Sequence, residues 1–240
     1  MSPVIHDRHL VKNYYENMVF NNIHKNKFQT PDDLTIITCR NLGSMEDRII
    51  DSLSGYEHKS ILECNLEYLG IDDLVVLYDD RLPWRNTFKF EMISNYLKQC
   101  TTKYIMYCDA IDVIFIDDPS KVVDIFEQNN CKMLFMSSTS TDGYSCMPDI
   151  KHWADNIHTN RYLNSGVWIG ETKFVVDVFH EAKMYINPHG VTMDDYHLYL
   201  DSKPKNYPIG AQDQDIFRFI QPKFHPELKV DYDNMMAYRR

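Results

Sequence analysis

Two apolar runs, Tyr104-Ile-Met-Tyr-Cys108 and Val113-Ile-Phe-Ile116, are separated only by Asp109-Ala-Ile-Asp112. Runs this short and this apolar read as buried strands. A pair of carboxylates therefore emerges where one buried strand ends and before the next begins. In an open α/β sheet, ligands bind beyond the carboxyl ends of the strands. Carboxylate oxygens suit a hard divalent cation, and such a cation suits a diphosphate. A D-x-x-D alone is weak evidence, because most such pairs are solvated turns, and the rest of the chain must decide its meaning.

The surrounding pattern alternates between strand and helix. Residues 34–39 are β-branched and bounded by Pro31-Asp-Asp33 and Asn41-Leu-Gly43, which predicts a first buried strand. A helix is expected over 45–53, strands over 60–64 and 74–77, and a helix over 88–100. That last helix places Phe88, Met92, Ile93, Tyr96 and Leu97 on one face. After the strands flanking Asp109 and Asp112, Asp118-Pro119-Ser120 opens a helix over 121–128. Residues 133–136 read as a strand. Residues 167–170 lead into an amphipathic helix carrying Phe174, Val175, Val178, Phe179, Ala182 and Tyr185.

A last helix begins near Asp213. Strands and helices at this spacing imply a mainly parallel, Rossmann-like α/β sheet covered on both faces. Residues 1–30, polar with scattered aromatics, read as a helical extension packed on one domain over 31–240. The polar stretch 144–160, with His152, Trp153 and His158, reads as a loop over the site.

Composition narrows the partners. A net charge of −10 opposes non-specific binding to nucleic acid or an anionic membrane. No apolar stretch approaches the length of a membrane span, and the first residues lack the pattern of a secretory signal. Six cysteines without a C-x-x-C pair fit buried thiols in a reducing compartment. A soluble cytoplasmic protein is the expectation.

The familiar nucleotide-binding glycine motifs are missing: there is no G-x-G-x-x-G after the first strand and no G-x-x-x-x-G-K-[ST]. With only 8 glycines, a diphosphate here is better held through a cation and basic side chains. Three further segments bear on this. Arg161-Tyr-Leu-Asn164-Ser165-Gly166 offers hydrogen-bonding side chains beside a glycine that permits close approach. Gly210-Ala-Gln212-Asp213-Gln214-Asp215 places acids at a helix start, where N-capping by Asp213 is the plain alternative. Trp84-Arg85-Asn-Thr-Phe-Lys89 combines a stacking ring with two cations, although a surface turn also explains it.

In this order the segments resemble the GT-A glycosyltransferases, in particular the glycosyltransferase domain at the N-terminus of collagen lysyl hydroxylases. The likeness runs from about Leu34 to Phe217. Tyr162-Leu-Asn-Ser-Gly166 matches the family's L-N-S-G, Asp213-Gln214 its acidic D-Q, and Tyr104–Ile116 its metal strand. Cys146-Met-Pro-Asp149 is similar to a Cys-aromatic-Pro-acid turn.

The resemblance implies a single-domain GT-A fold. It also implies transfer of a sugar from a nucleoside diphosphate sugar, UDP-linked and with retention, to an acceptor hydroxyl. Mn²⁺ or Mg²⁺ would be held by Asp109 and Asp112. Donor contacts would come from Thr38 at the end of the first strand, from Trp84, Arg85, Lys89 and Asp109, and from Ser165 and Gly166. Asn164, Asp213 and Gln214 would meet the sugar's hydroxyls.

Two departures stand out. The family supplies a third metal ligand from a histidine well after D-Q, and here only His225, in Phe224-His225-Pro226, is available close behind it. His225 is therefore the candidate third ligand, against the alternative of a plain loop histidine. The acidic run before D-Q is also thinned to Gly210-Ala-Gln212. These departures keep open a catalytically silent nucleotide-sugar-binding or scaffold protein, whereas the intact carboxylate pair and donor motifs favour the enzyme.

Overall fold

The computed structural model describes residues 2–7, 10–41, 59–82, 84–141, 143–144, 147–186 and 212–238. The helix expected over 45–53 lies outside them. A six-stranded sheet is built from β2 (Leu34–Asn41), β3 (Val75–Asp79), β4 (Tyr104–Cys108), β6 (Met133–Ser138), β7 (Tyr162–Glu171) and β8 (Leu228–Asp231), in the order β3-β2-β4-β7-β6-β8. β3, β2 and β4 run parallel, β7 runs against both β4 and β6, and β8 is parallel to β6. Only β7 opposes the others, so the sheet is mainly parallel, as expected.

Alternation along the strands explains why both faces are covered. On one face, Ile36, Met106, Leu134 and Ile169 pack against Leu62, Leu66 and Leu69 of α2 (Ile61–Leu69) and Val122 and Phe126 of α4 (Ser120–Gln128). On the other, Ile37, Ile105, Tyr107, Phe135 and Trp168 meet three helices: α3 (Phe88–Leu97), α6 (Thr172–Lys183) and α7 (Asp213–Phe224). Phe90, Phe179 and Phe217, one from each of these helices, lie with ring centroids 5.1–5.5 Å apart. Aromatic pairs at such spacing add to the burial of their area.

Three expectations are corrected. Residues 60–64 are not a strand. They begin α2, because Ser60 and Glu63 form a capping box: the Ser60 hydroxyl accepts from the Glu63 amide at 3.2 Å, and Glu63 Oε2 accepts from the Ser60 amide at 2.8 Å. Gly70, at φ 94°, ends the helix in the left-handed conformation a glycine adopts without strain. The Glu63 carboxylate also pairs with the buried Arg40 at 2.8 Å, which pins the start of α2 to the end of β2.

Second, the stretch over 144–160 is not all loop. It contains α5 (Pro148–Ile157), which Pro148 opens at its first turn. Third, the N-terminal segment is not purely helical. α1 (Val11–Phe20) is present, but β1 (Val4–His6) precedes it. β1 is the middle strand of a second sheet, between β5 (Val113–Phe115) and β9 (Ala237–Tyr238).

No helix among the described residues is long and apolar enough to cross a membrane. Cys39, Cys64, Cys100, Cys108 and Cys131 are free thiols.

Replacing Ser60 by Ala removes the cap that sets the start of α2. Chemical denaturation should show a loss of about 0.5–2 kcal/mol, the usual range for such caps. Unchanged stability would contradict the capping assignment.

Candidate active site

β4 ends at Cys108, and the next amide, that of Asp109, donates to the Gly166 carbonyl at 2.8 Å. This bond extends the β4–β7 ladder by one step and sets Asp109 against the L-N-S-G segment. The side chains of Asp109 and Asp112 are 27% and 26% exposed, so both reach a partly open surface.

The two oxygens of Asp109 have different surroundings. Oδ1 accepts from the Tyr107 hydroxyl at 2.6 Å and from the Lys89 ammonium at 2.8 Å. Oδ2 faces away, toward His6 and Gly166. Lys89 sits in the first turn of α3 and is nearly buried, with Asp213 Oδ2 3.4 Å from its Nζ on the other side. The Ser165 hydroxyl lies 3.3 Å from the same Asp213 oxygen. Burial pulls the Lys89 ammonium down, but the carboxylates of Asp109 and Asp213 outweigh it and hold Lys89 well above the ordinary lysine range. Burial, countered in part by Lys89, raises the Asp213 carboxyl. Burial and then the Asp109 charge push the Tyr107 phenol well up, which keeps it an O–H donor.

A residue missed from the sequence completes this cluster. His6, at the end of β1, is 4% exposed, with Nε2 3.2 Å from Asp112 Oδ2 and 3.9 Å from Asp109 Oδ2. One ligand atom from each of His6, Asp109 and Asp112 lies within 4.8 Å of the others. The only sequence signal was a histidine closing the short apolar triplet Val4–His6 in an otherwise polar stretch. Gly166 makes room for it. A Cβ there would come within 2.4 Å of His6 Cε1 and 2.9 Å of Asp109 Oδ2.

The other predicted residues divide. Asn164, Ser165 and Gln214 come together: the Asn164 amide donates to Gln214 Oε1 at 2.7 Å, and its Oδ1 accepts from the Gly166 amide at 3.0 Å. The Ser165 amide lies 3.4 Å from the same Gln214 oxygen. Trp84 is buried, with its indole N–H donating to Asn86 at 3.1 Å. Asn86 in turn donates to Gln212 at 2.9 Å, tying this loop to the start of α7, and Arg85 beside it is half-buried.

Thr38 is fully buried and its hydroxyl donates to the Cys108 carbonyl at 2.7 Å, so it joins β2 to β4 from inside the sheet. Lys89, expected to meet a diphosphate, has its charge committed to two carboxylates. His225 does not join the carboxylate pair. It is exposed at the far end of α7, edge-on to Trp153 at 5.6 Å. A helix of 12 residues puts it about 18 Å along the axis from Asp213.

Residues 59–206 match the family profile described as PLOD GT domain, more than half of the chain. Procollagen-lysine,2-oxoglutarate 5-dioxygenase 2 of Mus musculus is 29% identical over 138 residues, covering 50% of this chain and 18% of the mouse protein. The Homo sapiens protein of that name is 29% identical over 152 residues, covering 55% and 19%. The chain spans less than a fifth of the length of these relatives.

Among solved structures, glucosyl-3-phosphoglycerate synthase from Mycobacterium tuberculosis, described in complex with Mn²⁺, UDP and phosphoglyceric acid, superposes with a TM-score of 0.41 at 11% identity. It covers 82% of this chain and 67% of its own. The glycosyltransferase GlyE of Streptococcus pneumoniae TIGR4 gives 0.36 at 12% identity, covering 96% of this chain and 45% of its own.

Replacing Lys89 by Met leaves Asp109 and Asp213 without their shared cation. Removing one partner of a buried pair costs about 3–5 kcal/mol, and urea unfolding should show a loss of that order. Adding Asp213→Asn to this variant should recover part of it. A stability equal to that of the parent would mean that the ammonium does not hold these carboxylates.

Proposed function

The chain belongs to the PLOD GT domain family, and from that premise we propose that it is a metal-dependent glycosyltransferase moving a sugar from a UDP-linked donor to an acceptor hydroxyl. The observation that carries this reading is the division of labour at Asp109. Its Oδ1 is saturated by Tyr107 and Lys89, while Oδ2 is left facing the same spot as the Asp112 carboxylate and His6 Nε2. Two carboxylate oxygens and an imidazole nitrogen fit Mn²⁺ or a similar divalent ion. A Gly166 side chain would intrude on the space in which they meet. When bound, that ion supplies Lewis-acid neutralisation of charge growing on the UDP leaving group.

The protein's own residues do the positioning. Lys89 holds Asp109 in a single rotamer, so the second oxygen is presented rather than left to rotate. Its positive charge also offsets the Asp109 and Asp213 charges that burial would otherwise penalise. Asn164, Ser165, Asp213 and Gln214 form one hydrogen-bonded group on the β7 and α7 side of Asp109. In this reading they meet the donor sugar's hydroxyls, with retention of its configuration following the family. Trp84 is fixed through Asn86 to Gln212 at the start of α7, and Arg85 is the next residue in the chain.

Asp112→Asn tests the reading. Titration calorimetry should show the Mn²⁺-dependent part of UDP-sugar binding lost, and slow acceptor-free hydrolysis of the UDP-sugar should cease with it. Equal metal-assisted binding by variant and parent would refute the metal assignment. Binding without any hydrolysis by the parent would favour a silent nucleotide-sugar-binding protein. In Asn164→Ala, UDP-sugar should weaken by about 0.5–1.5 kcal/mol per lost neutral hydrogen bond, with UDP itself little changed. Equal weakening of both ligands would move Asn164 out of the sugar pocket.

A further inference from the structure

We propose that His6 is the third protein ligand of the cation, so that the metal is held jointly by the Asp109–Asp112 turn and by β1. This inference rests on the metal-dependent reading above and adds a ligand from outside the 59–206 segment that matches the family.

Three features fit the imidazole for that role. The first is orientation. His6 Nδ1 lies 3.1 Å from the sulfur of Met136, a group that can only accept, while Nε2 faces the oxygens of Asp109 and Asp112. A cation taking the place of a proton on Nε2 would leave an Nδ1–H to donate to that sulfur. Metal-bound histidines are oriented in this way by a partner on the other ring nitrogen, and Met136 is here a positioning residue.

The second is space. The ring occupies the volume that a Cβ on Gly166 would claim, at 2.4 Å from Cε1 and 2.9 Å from Nε2. The glycine of L-N-S-G thus has a specific steric task in this chain. The third is rigidity. His6 pairs with Val113 in the β1–β5 ladder, and the Asp7 amide donates to the Asp112 carbonyl at 3.0 Å. The backbone carrying the imidazole is therefore bonded directly to the backbone carrying Asp112. On its other edge β1 pairs with β9. A cation bound here fastens the three-stranded sheet to the end of β4.

A neutral nitrogen ligand also carries a preference. Imidazole suits Zn²⁺, Fe²⁺ and Ni²⁺, whereas carboxylate, carbonyl and water suit Mg²⁺, Ca²⁺ and Mn²⁺. His6 should therefore tilt the site toward Zn²⁺ or Fe²⁺ relative to a site built of oxygens alone.

Pulsed EPR of Mn²⁺ bound with UDP tests the inference without reference to turnover. The parent should show the nuclear modulation of one coordinated imidazole nitrogen, which changes when the protein is grown with ¹⁵N-histidine. His6→Ala should abolish that modulation. Outer-shell partners alone are worth about 10–100-fold in metal affinity, so loss of His6 should weaken Mn²⁺ by at least about tenfold. His6→Gln, which keeps a polar side chain on β1, should bind Mn²⁺ without nitrogen coupling and carries the test if the alanine variant does not fold. Nitrogen coupling that survives in either variant, or an all-oxygen Mn²⁺ spectrum from the parent, overturns the role of His6 alone. A parent that binds no Mn²⁺ with or without UDP overturns the metal-dependent reading and this inference together.

Discussion

The hydrogen bond from the Asp109 amide to the Gly166 carbonyl is the joint on which the site depends. β7 is the one strand of the main sheet that runs against its neighbours, and it lies between β4 and β6. The start of β7 therefore lies beside the carboxyl end of β4, and Asn164, Ser165 and Gly166 stand next to the first aspartate. In an all-parallel arrangement that position would be filled by the end of another strand and the loop after it. The reversal instead brings ordered backbone, with its glycine, against the carboxylate. His6 and Asp213 then reach the same place from opposite sides.

Around this joint the charges are arranged in pairs. Lys89 lies between Asp109 and Asp213, and Tyr107 adds a hydroxyl that burial keeps protonated. Two carboxylates so near one another and so little exposed would repel. A single buried ammonium offsets both, at the expense of its own hydration. The second oxygen of Asp109 lies with Asp112 and His6 in a group whose ligand atoms could hold a cation. In this arrangement the Lys89 charge lies against Asp109 and Asp213.

The site was legible in the sequence where its signals are local. Asp109 and Asp112 follow a short apolar run that reads as a buried strand and forms one, β4. Asn164 to Gly166 and Asp213-Gln214 are short contiguous patterns, and the structure brings them together through hydrogen bonds. The mainly parallel sheet followed from the alternation of strands and helices. Local signals also misled where two readings compete. The apolar run Ile61, Leu62, Cys64 suits a strand until Ser60 and Glu63 are recognised as a capping box, which decides for helix. Pro148 followed by Asp149 was a helix-start signal inside a stretch too polar to look structured.

The place of His6 beside the two aspartates was illegible because it depends on tertiary pairing. His225 is near Asp213 in the chain, yet α7 carries it to the opposite end of the helix. His6 is remote in the chain, but β1–β5 pairing places it beside Asp112.

Anomalous diffraction at the manganese edge, on crystals grown with Mn²⁺ and UDP, tests the central claim most directly. The account predicts a peak bounded by Asp109 Oδ2, Asp112 and His6 Nε2, with the diphosphate of UDP completing the coordination from the open side. A manganese ion elsewhere, for instance against Asp79 and Asp80 at the end of β3, with UDP bound away from Asp109, would contradict it.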